Sequence, residues 1–388
     1  MINYGSHHID QSDIKNVVKV LNSSFLTQGK NLNNFEKKLK TFFGAKYCCA
    51  VSTGTSALHL VMKSLNINKN DYVITTPITF LATANSVLYE KGNIEFVDID
   101  PKSFNIDPLE VEKKIISLRR KKKIVKAIVA VDYAGNPCDW RALKKIAKIK
   151  KIYLINDNCH AMGAKYNHDN KYAIKFADFV TQSFHPVKNI TTGEGGAVLT
   201  NSKKFFTKIS SLRNHGILNR NKTEKKFPWL YEMHYLGFNY RLNEISCALG
   251  ISQLKKIKKF LSKRNKISKY YVKHLKNEKL ISFQELLIGS TCANHLFPIR
   301  INFSDLKKNK SFFFKYMFNK GIKLQVHYIP LYLQPYYQKK KKQLKLINSY
   351  NFYKEQVSLP IYYDLSYDKI NYVIRCLKEY LKKYAINN

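Results

Sequence analysis

The sequence predicts an α/β protein: a mostly parallel central sheet flanked by helices, followed by a smaller C-terminal α+β domain. Three observations predict it. Short apolar runs alternate with amphipathic stretches over roughly the first half of the chain, and strands separated by helices in that order make parallel crossover units. The turns after these strands carry Ser, Thr, Gly, Asp or Asn, at the sheet edge where ligands gather in such folds. After residue 240 the pattern changes to one long helical stretch and then a less regular mixture.

Taken in order, residues 10–21 and 31–41 read as two helices joined by the loop FLTQGK. Strand candidates follow at 47–51 (YCCAV), 72–75, 94–98 (IEFVD), 126–131 (KAIVAV), 152–156 (IYLIN), 179–183 and 196–199. Amphipathic stretches lie between them near 55–65, 79–90, 109–118 and 139–149. The polar segment 219–228 (NRNKTEKKFP) reads as a loop, and the helical pattern after 240 runs to about 276. The final 110 residues alternate strand and helix, and no internal repeat is visible. The expected division is a large domain over 1–250, with a helical segment 1–44 at its front, and a small domain over 251–388.

Composition narrows the function. Of 388 residues, 45% are apolar, enough for a large core, which excludes disorder along the whole length. No window approaches the apolar length of a spanning helix, and the start MINYGSHHIDQSD lacks the charged and apolar regions of a secretory signal, so a cytosolic protein is expected. Lys and Arg number 67 against 27 Asp and Glu, a net charge of +40. One reading is a polyanion partner, nucleic acid or anionic lipid. The other is AT-rich codon usage, which agrees with the abundance of Lys, Asn, Ile, Tyr and Phe and with the scatter of basic residues over 119–123, 143–151, 255–264 and 338–345. Scattered charge reads as solvated surface, so neither a nucleic-acid nor a membrane partner is expected. The cysteines at 48, 49, 138, 159, 247, 292 and 376 are odd in number and lack CxxC spacing, so reduced thiols are expected, with no disulfide framework and no metal site. Cys159 lies beside a candidate site.

Four segments at strand ends carry complementary chemistry. In Val51-Ser-Thr-Gly-Thr-Ser-Ala57, a helix start with the hydroxyls of Thr55 and Ser56 can seat a phosphate, or can simply cap the helix. In Thr75-Thr-Pro-Ile-Thr-Phe80, Phe80 can lie over a flat heterocycle or belong to the core. In Asn156-Asp-Asn-Cys-His160, a carboxylate near a buried strand end needs a cation or donors. A protonated ring nitrogen is one such partner for Asp157, and a helix cap is the alternative. His160 can orient that carboxylate or pack on a ring, or be a satisfied core histidine. In the glycine-rich segment 183–196, Lys188 sits between Pro186 and Ile190 with Ser183 before it. A partly desolvated lysine attacks carbonyls, whereas an ordinary one is a solvated surface group. The glycine-rich, acid-poor turn favours the first reading.

Together, GTSAL, DNCHAMGA, SFHPVKNITTGEGGA and GFNYRLNEISCALGISQL resemble, in that order and across essentially the whole chain, the DegT/DnrJ/EryC1/StrS family of sugar aminotransferases. The resemblance implies the type I fold of pyridoxal 5′-phosphate (PLP) enzymes, with the cofactor cycling between PLP and its amine form PMP. It implies Lys188 as the Schiff-base lysine, Asp157 as the carboxylate on the pyridine nitrogen and His160 beside the ring near its phenolic oxygen. Phe80 would stack on the ring, and Thr55, Ser56 and Ser183 would bind the phosphate. Asn239 would reach the cofactor phosphate of the other subunit, implying a homodimer with shared sites. The segments LTQG at 26–29, TTPITF at 75–80, VDYAGNPC at 131–138 and VHYIP at 326–330 with LQPYY at 333–337 are similar to the branch that serves pseudaminic acid synthesis. That branch implies amino transfer, with L-glutamate as donor, to C4 of a UDP-linked 4-keto-6-deoxy-N-acetylhexosamine. Tyr4, Thr27, His327 and Tyr328 are the candidates on the substrate side. Where that branch commonly has a histidine, this chain has Tyr332; Asn156 and Asn158 also replace commoner residues, and 165–178 is short and polar. Two rival readings are a sibling aminotransferase for another keto-sugar and a basic nucleic-acid-binding regulator on a decayed enzyme fold.

Overall fold

The computed structural model describes residues 1–218, 227, 229–339 and 344–386. Most of the polar segment 219–228 and the centre of the basic stretch 338–345 lie outside them. Helices α1 (Gln11–Leu21) and α2 (Lys30–Phe43) come first, as their periodicity predicts. Asp10 caps α1 in a reciprocal box with Asp13, which satisfies amides the helix itself cannot. At the start of α2 that work falls to a distant residue. The buried Glu244 carboxylate accepts the backbone N–H groups of Gly29 at 3.0 Å, Asn31 at 2.7 Å and Leu32 at 3.0 Å.

The large sheet is built from β1 (Tyr47–Val51), β2 (Asp71–Thr75), β3 (Asn93–Phe96), β4 (Ile124–Val131), β5 (Tyr153–Asp157), β6 (Phe179–Ser183) and β7 (Gly196–Thr200). Between these strands run α3 (Gly54–Ser64), α4 (Leu81–Tyr89), α5 (Pro108–Arg120), α6 (Trp140–Lys150) and the short α7 (Tyr172–Phe176). The strand order is β1-β7-β6-β5-β4-β2-β3. Neighbours from β3 to β6 are parallel, whereas β7 runs antiparallel to both β6 and β1. Side chains alternate between two covered faces: Ile128, Ala130 and Leu154 belong to one core, and Ala127, Val129 and Ile155 to the other. Both faces being dry explains why the strands read as nearly unbroken apolar runs.

After β7, α8 (Lys203–Arg213) packs on the sheet, capped by Ser202. Its apolar positions are diluted by Lys, Ser and Thr, and the sequence pattern did not announce it. The stretch 165–178 is polar in composition, yet Tyr166, Tyr172, Ala173 and Ile174 are buried in the core. The long helix α9 (Glu244–Leu275) gives Ile251, Leu254, Ile257 and Phe260 to the large core and Ile267, Tyr271 and Leu275 to a separate one. That second core lies around the antiparallel sheet β8 (Ile281–Phe283), β9 (Phe297–Ile301) and β10 (Gln356–Leu359), ordered β10-β9-β8. The C-terminal helices are α10 (Lys310–Asn319), α11 (Pro335–Gln338), α12 (Ile347–Glu355) and α13 (Tyr367–Tyr384). Leu331, Tyr332 and Tyr337 turn back onto the large core. Among the described residues no helix is long and apolar enough to cross a membrane.

Candidate active site

The turns after β1, β4, β5 and β6, together with segments from both chain ends, enclose a cavity of about 620 Å³. Its anion-seeking corner is the start of α3. Thr53 caps the helix, accepting the Ser56 N–H at 2.9 Å. The first-turn amides of Gly54 and Thr55 have no acceptor within the helix, and both residues line the cavity. Close approach explains the glycine: a Cβ at Gly54 would lie 2.7 Å from the Ser183 Cβ. Gly196 completes the fit, since a Cβ there would meet the Thr53 carbonyl oxygen at 2.3 Å. Backbone amides, the Thr55 hydroxyl and the Ser183 hydroxyl therefore converge where an anion gains most.

Asp157 is the last residue of β5 and is only 4% exposed. It does not cap a helix. One carboxylate oxygen accepts the Thr83 hydroxyl at 2.7 Å and the other the Cys159 N–H at 3.3 Å. Thr79 in turn shares a 2.8 Å hydrogen bond with Thr83. A carboxylate offers about four acceptor positions, so Asp157 retains room for a cationic donor. Lys188, in the β6–β7 loop, lines the same cavity. Its Nζ makes no hydrogen bond or ion pair among the described residues. Burial holds its pKa below the ordinary lysine value, opposed by Cys159 and Asp157.

His160 is buried and its state follows from its partners. Nδ1 lies 3.3 Å from the Ala134 amide nitrogen, which can only donate. The ring hydrogen therefore sits on Nε2, which donates to the Tyr328 hydroxyl oxygen at 3.1 Å. The hydrogen of Tyr328 is left for another acceptor. Burial, then the charge of Lys188, keeps His160 well below the usual histidine range and so neutral. Burial, then Asp157, raises Tyr328 far above the usual phenol value, so it remains a donor.

The far wall comes from remote segments. Tyr4 packs its ring 5.2 Å from that of His327. Burial pushes His327 down to about 3, and its Nδ1 is 2.9 Å from the Ser358 hydroxyl. Phe80 is 57% exposed at the mouth, its ring centroid 6.2 Å from that of Tyr328, so it is no core residue.

Of the residues singled out in the sequence, the cavity brings together Tyr4, Thr55, Phe80, Asp157, His160, Ser183, Lys188, His327 and Tyr328. Ser56 stays behind the cap, its hydroxyl bonded to those of Ser52 and Thr53 at 3.0 and 2.8 Å. Thr27 and Asn239 are exposed outside the cavity. Tyr332 is buried in the core, its hydroxyl directed to the Leu346 carbonyl at 3.4 Å, so that departure does not touch the cavity. Sequence reasoning missed Thr79, Thr83 and His295. The two threonines stand four apart across a helix start, a spacing that puts both hydroxyls on one face and was readable. His295, with its ring 4.5 Å from that of His160, has no local signal.

Comparison with known proteins agrees with this arrangement. The family model of the DegT/DnrJ/EryC1/StrS aminotransferase family matches residues 7–378. A UDP-4-amino-4,6-dideoxy-N-acetyl-beta-L-altrosamine transaminase of Campylobacter jejuni is 38% identical, over 99% of this chain and 98% of its own. The solved structure of Helicobacter pylori PseC, an aminotransferase involved in the biosynthesis of pseudoaminic acid, superposes with a TM-score of 0.89 at 34% identity, covering 98% of this chain and 99% of that one. A sugar aminotransferase fold from Streptococcus pneumoniae, Spr1654, superposes with a TM-score of 0.92 at 23% identity, covering 99% and 100%.

Proposed function

The chain belongs to the DegT/DnrJ/EryC1/StrS aminotransferase family, and we propose that within it this enzyme uses pyridoxal 5′-phosphate to move an amino group from L-glutamate to C4 of a UDP-linked 4-keto-6-deoxy-N-acetylhexosamine, a step towards pseudaminic acid. The observation that carries the proposal is the pairing, in one cavity, of an amine without a counter-ion at Lys188 and a buried carboxylate with a vacant acceptor position at Asp157. The names of the relatives supply the substrate class.

The residues present fit the cofactor. Lys188 would hold its aldehyde covalently, and Asp157 would accept a hydrogen bond from its ring nitrogen. The α3 start, Thr55 and Ser183 would bind its phosphate, and Phe80 and His160 would lie beside the ring. When bound, the cofactor supplies the electron sink for the carbanion at the amino-bearing carbon.

The rest falls to the chain. The lowered pKa of Lys188 gives it a larger neutral fraction near neutral pH than an ordinary lysine has. Its Nζ is the base that would take the α-proton of the donor and deliver a proton to C4 of the sugar. Asp157, held by Thr83 and the Cys159 amide, maintains a negative charge at a fixed place. His160 turns the hydrogen of Tyr328 outward, where an oxygen of the substrate can accept it. Tyr4 and His327 would bound the sugar side.

The enzyme would act as a homodimer. Asn239 is exposed, as is Thr27, and Trp229, Tyr231, Met233 and Leu236 nearby in sequence expose large apolar surface, which a second copy would cover. Asn239 of the partner subunit would then reach this cavity's cofactor phosphate.

Borohydride reduction of cofactor-saturated protein, followed by peptide mapping, tests the proposal. The tag is expected on Lys188, and a tag elsewhere or none would refute it. Mass spectrometry of products from a panel of UDP-4-keto sugars with glutamate tests the substrate. Amination of a different keto-sugar only would leave the chemistry intact and overturn the pathway.

A further inference from the structure

Behind Asp157, on the side away from the cavity, lies a second carboxylate that the chemistry above leaves unused. Asp132 follows β4 and is fully buried. Its Oδ1 accepts the Cys138 N–H at 2.8 Å and the Trp140 indole N–H at 2.9 Å. Its Oδ2 accepts the Tyr172 hydroxyl at 2.7 Å and the side-chain amides of Asn158 at 2.9 Å and Asn156 at 3.2 Å. A buried carboxylate is costly unless donors surround it, and these donors come from both neighbours of Asp157. Side chains alternate along a strand, so Asn156 and Asn158 face Asp132 while Asp157 faces the cavity. The Asp132 backbone N–H also donates to the Asp157 carbonyl at 3.4 Å. Asn158 extends the grip to β6, since its amide oxygen accepts from the Gln182 side chain at 2.6 Å and its backbone N–H donates to the Thr181 carbonyl at 3.1 Å.

We propose that Asp132 is a positioning residue of the active site: by holding Asn156 and Asn158 it fixes the backbone on both sides of Asp157, and so sets where the Asp157 carboxylate and the turn carrying His160 meet the cavity. The inference rests on the role given to Asp157 above. It also accounts for the two asparagines that depart from the family's commoner residues: each supplies an amide donor that this carboxylate requires. Without that hold, Asp157 keeps only Thr83 and an amide of the same turn, and a displacement of about 1 Å at a reacting group costs on the order of a hundredfold in rate.

The test is Asp132→Asn, which keeps size and shape but sets an NH2 group against donors. Three readouts separate positioning from mere folding. We expect kcat to fall by about 10- to 100-fold with the KM for nucleotide sugar within about threefold, and pyridoxal phosphate titrated into the apoprotein to bind more weakly. The pH at which the visible band of the loaded protein changes should shift, because the charge beside the ring has moved. Finally, in an Asp157→Ala background the same substitution should add little, since residues acting as one unit are non-additive. If Asp132→Asn folds poorly, Tyr172→Phe removes one donor at nearly constant volume and should show the same pattern at smaller size. Additive losses in the double variant, or an unchanged band and cofactor affinity in both single variants, would overturn the proposal. A wild type that takes up no pyridoxal phosphate would instead sink the proposed function, and this inference with it.

Discussion

The two walls of the cavity are made differently. The sheet-side wall consists of short turns at the ends of neighbouring strands: Thr53 to Thr55 after β1, Asp157 to His160 from β5, and Ser183 to Lys188 after β6. Backbone register places them, because β5, β6 and β7 are hydrogen-bonded in sequence across the sheet. The opposite wall comes from Tyr4, His295 and residues 325–328, and long-range side-chain bonds hold it. The Tyr133 hydroxyl donates to the His327 carbonyl at 2.5 Å, and Tyr328 meets His160. The groups that make and break bonds sit on the first wall, where each position is over-determined by the sheet. The second wall, assembled from distant parts of the chain, can vary in shape without disturbing them. That division predicts that damage to the first wall appears in turnover and cofactor binding, and damage to the second in substrate recognition.

The strongest way to break the comparison is Lys188→Ala. Turnover should fall by more than about 10⁴-fold, with thermal unfolding little changed, since Nζ has no structural partner to lose. In the wild type the acid limb of the pH–rate profile should lie below that of an ordinary lysine, because burial lowers the pKa and only the neutral amine acts as base. A variant aminating the sugar at the original rate would remove chemistry from this wall altogether.

Asp157→Ala comes next. Losing the fixed charge beside the ring should cost about a thousandfold or more in kcat, measured with saturating cofactor. Near-normal turnover would mean that the carboxylate only packs against Thr83.

These two residues were also the most legible ones. A strand-to-turn segment such as IYLINDNCH announces a carboxylate at a sheet edge, and SFHPVKNITTGEGG announces a lysine in a glycine-rich turn. The α/β alternation that makes the sheet is a local pattern, so most strands and helices were legible too. What was hidden depends on contacts between distant positions. His295 reaches His160 only through the packing of the loop before β9, and no residue near it in sequence signals this. The polar look of 165–178 concealed Tyr172, whose hydroxyl is spent on Asp132 deep in the core. The antiparallel setting of β7 was hidden for the same reason, since strand direction is fixed by pairing with β1 rather than by composition.

Gly54→Ala sharpens the first wall further. The added methyl meets the Ser183 Cβ at 2.7 Å, and such overpacking costs about 1–3 kcal/mol. Because the strain falls where the α3 amides open on the cavity, the apoprotein's affinity for pyridoxal phosphate should weaken by roughly 10- to 100-fold. Titration by absorbance measures it. An unchanged affinity would show that the phosphate is bound elsewhere.

The smallest expected effect belongs to the second wall and discriminates best between the two. Tyr328→Phe removes one hydroxyl and leaves the ring in place against His160, whose Nε2–H then loses its acceptor. A neutral hydrogen bond contributes about 0.5–1.5 kcal/mol, so the change should be roughly 3- to 10-fold. If this wall recognises substrate, the loss appears as a raised KM for the nucleotide sugar, with the glutamate half-reaction and the cofactor affinity untouched. If both half-reactions slow equally, the tyrosine serves the reacting atoms, and the boundary between the walls must be redrawn through the Tyr328–His160 bond.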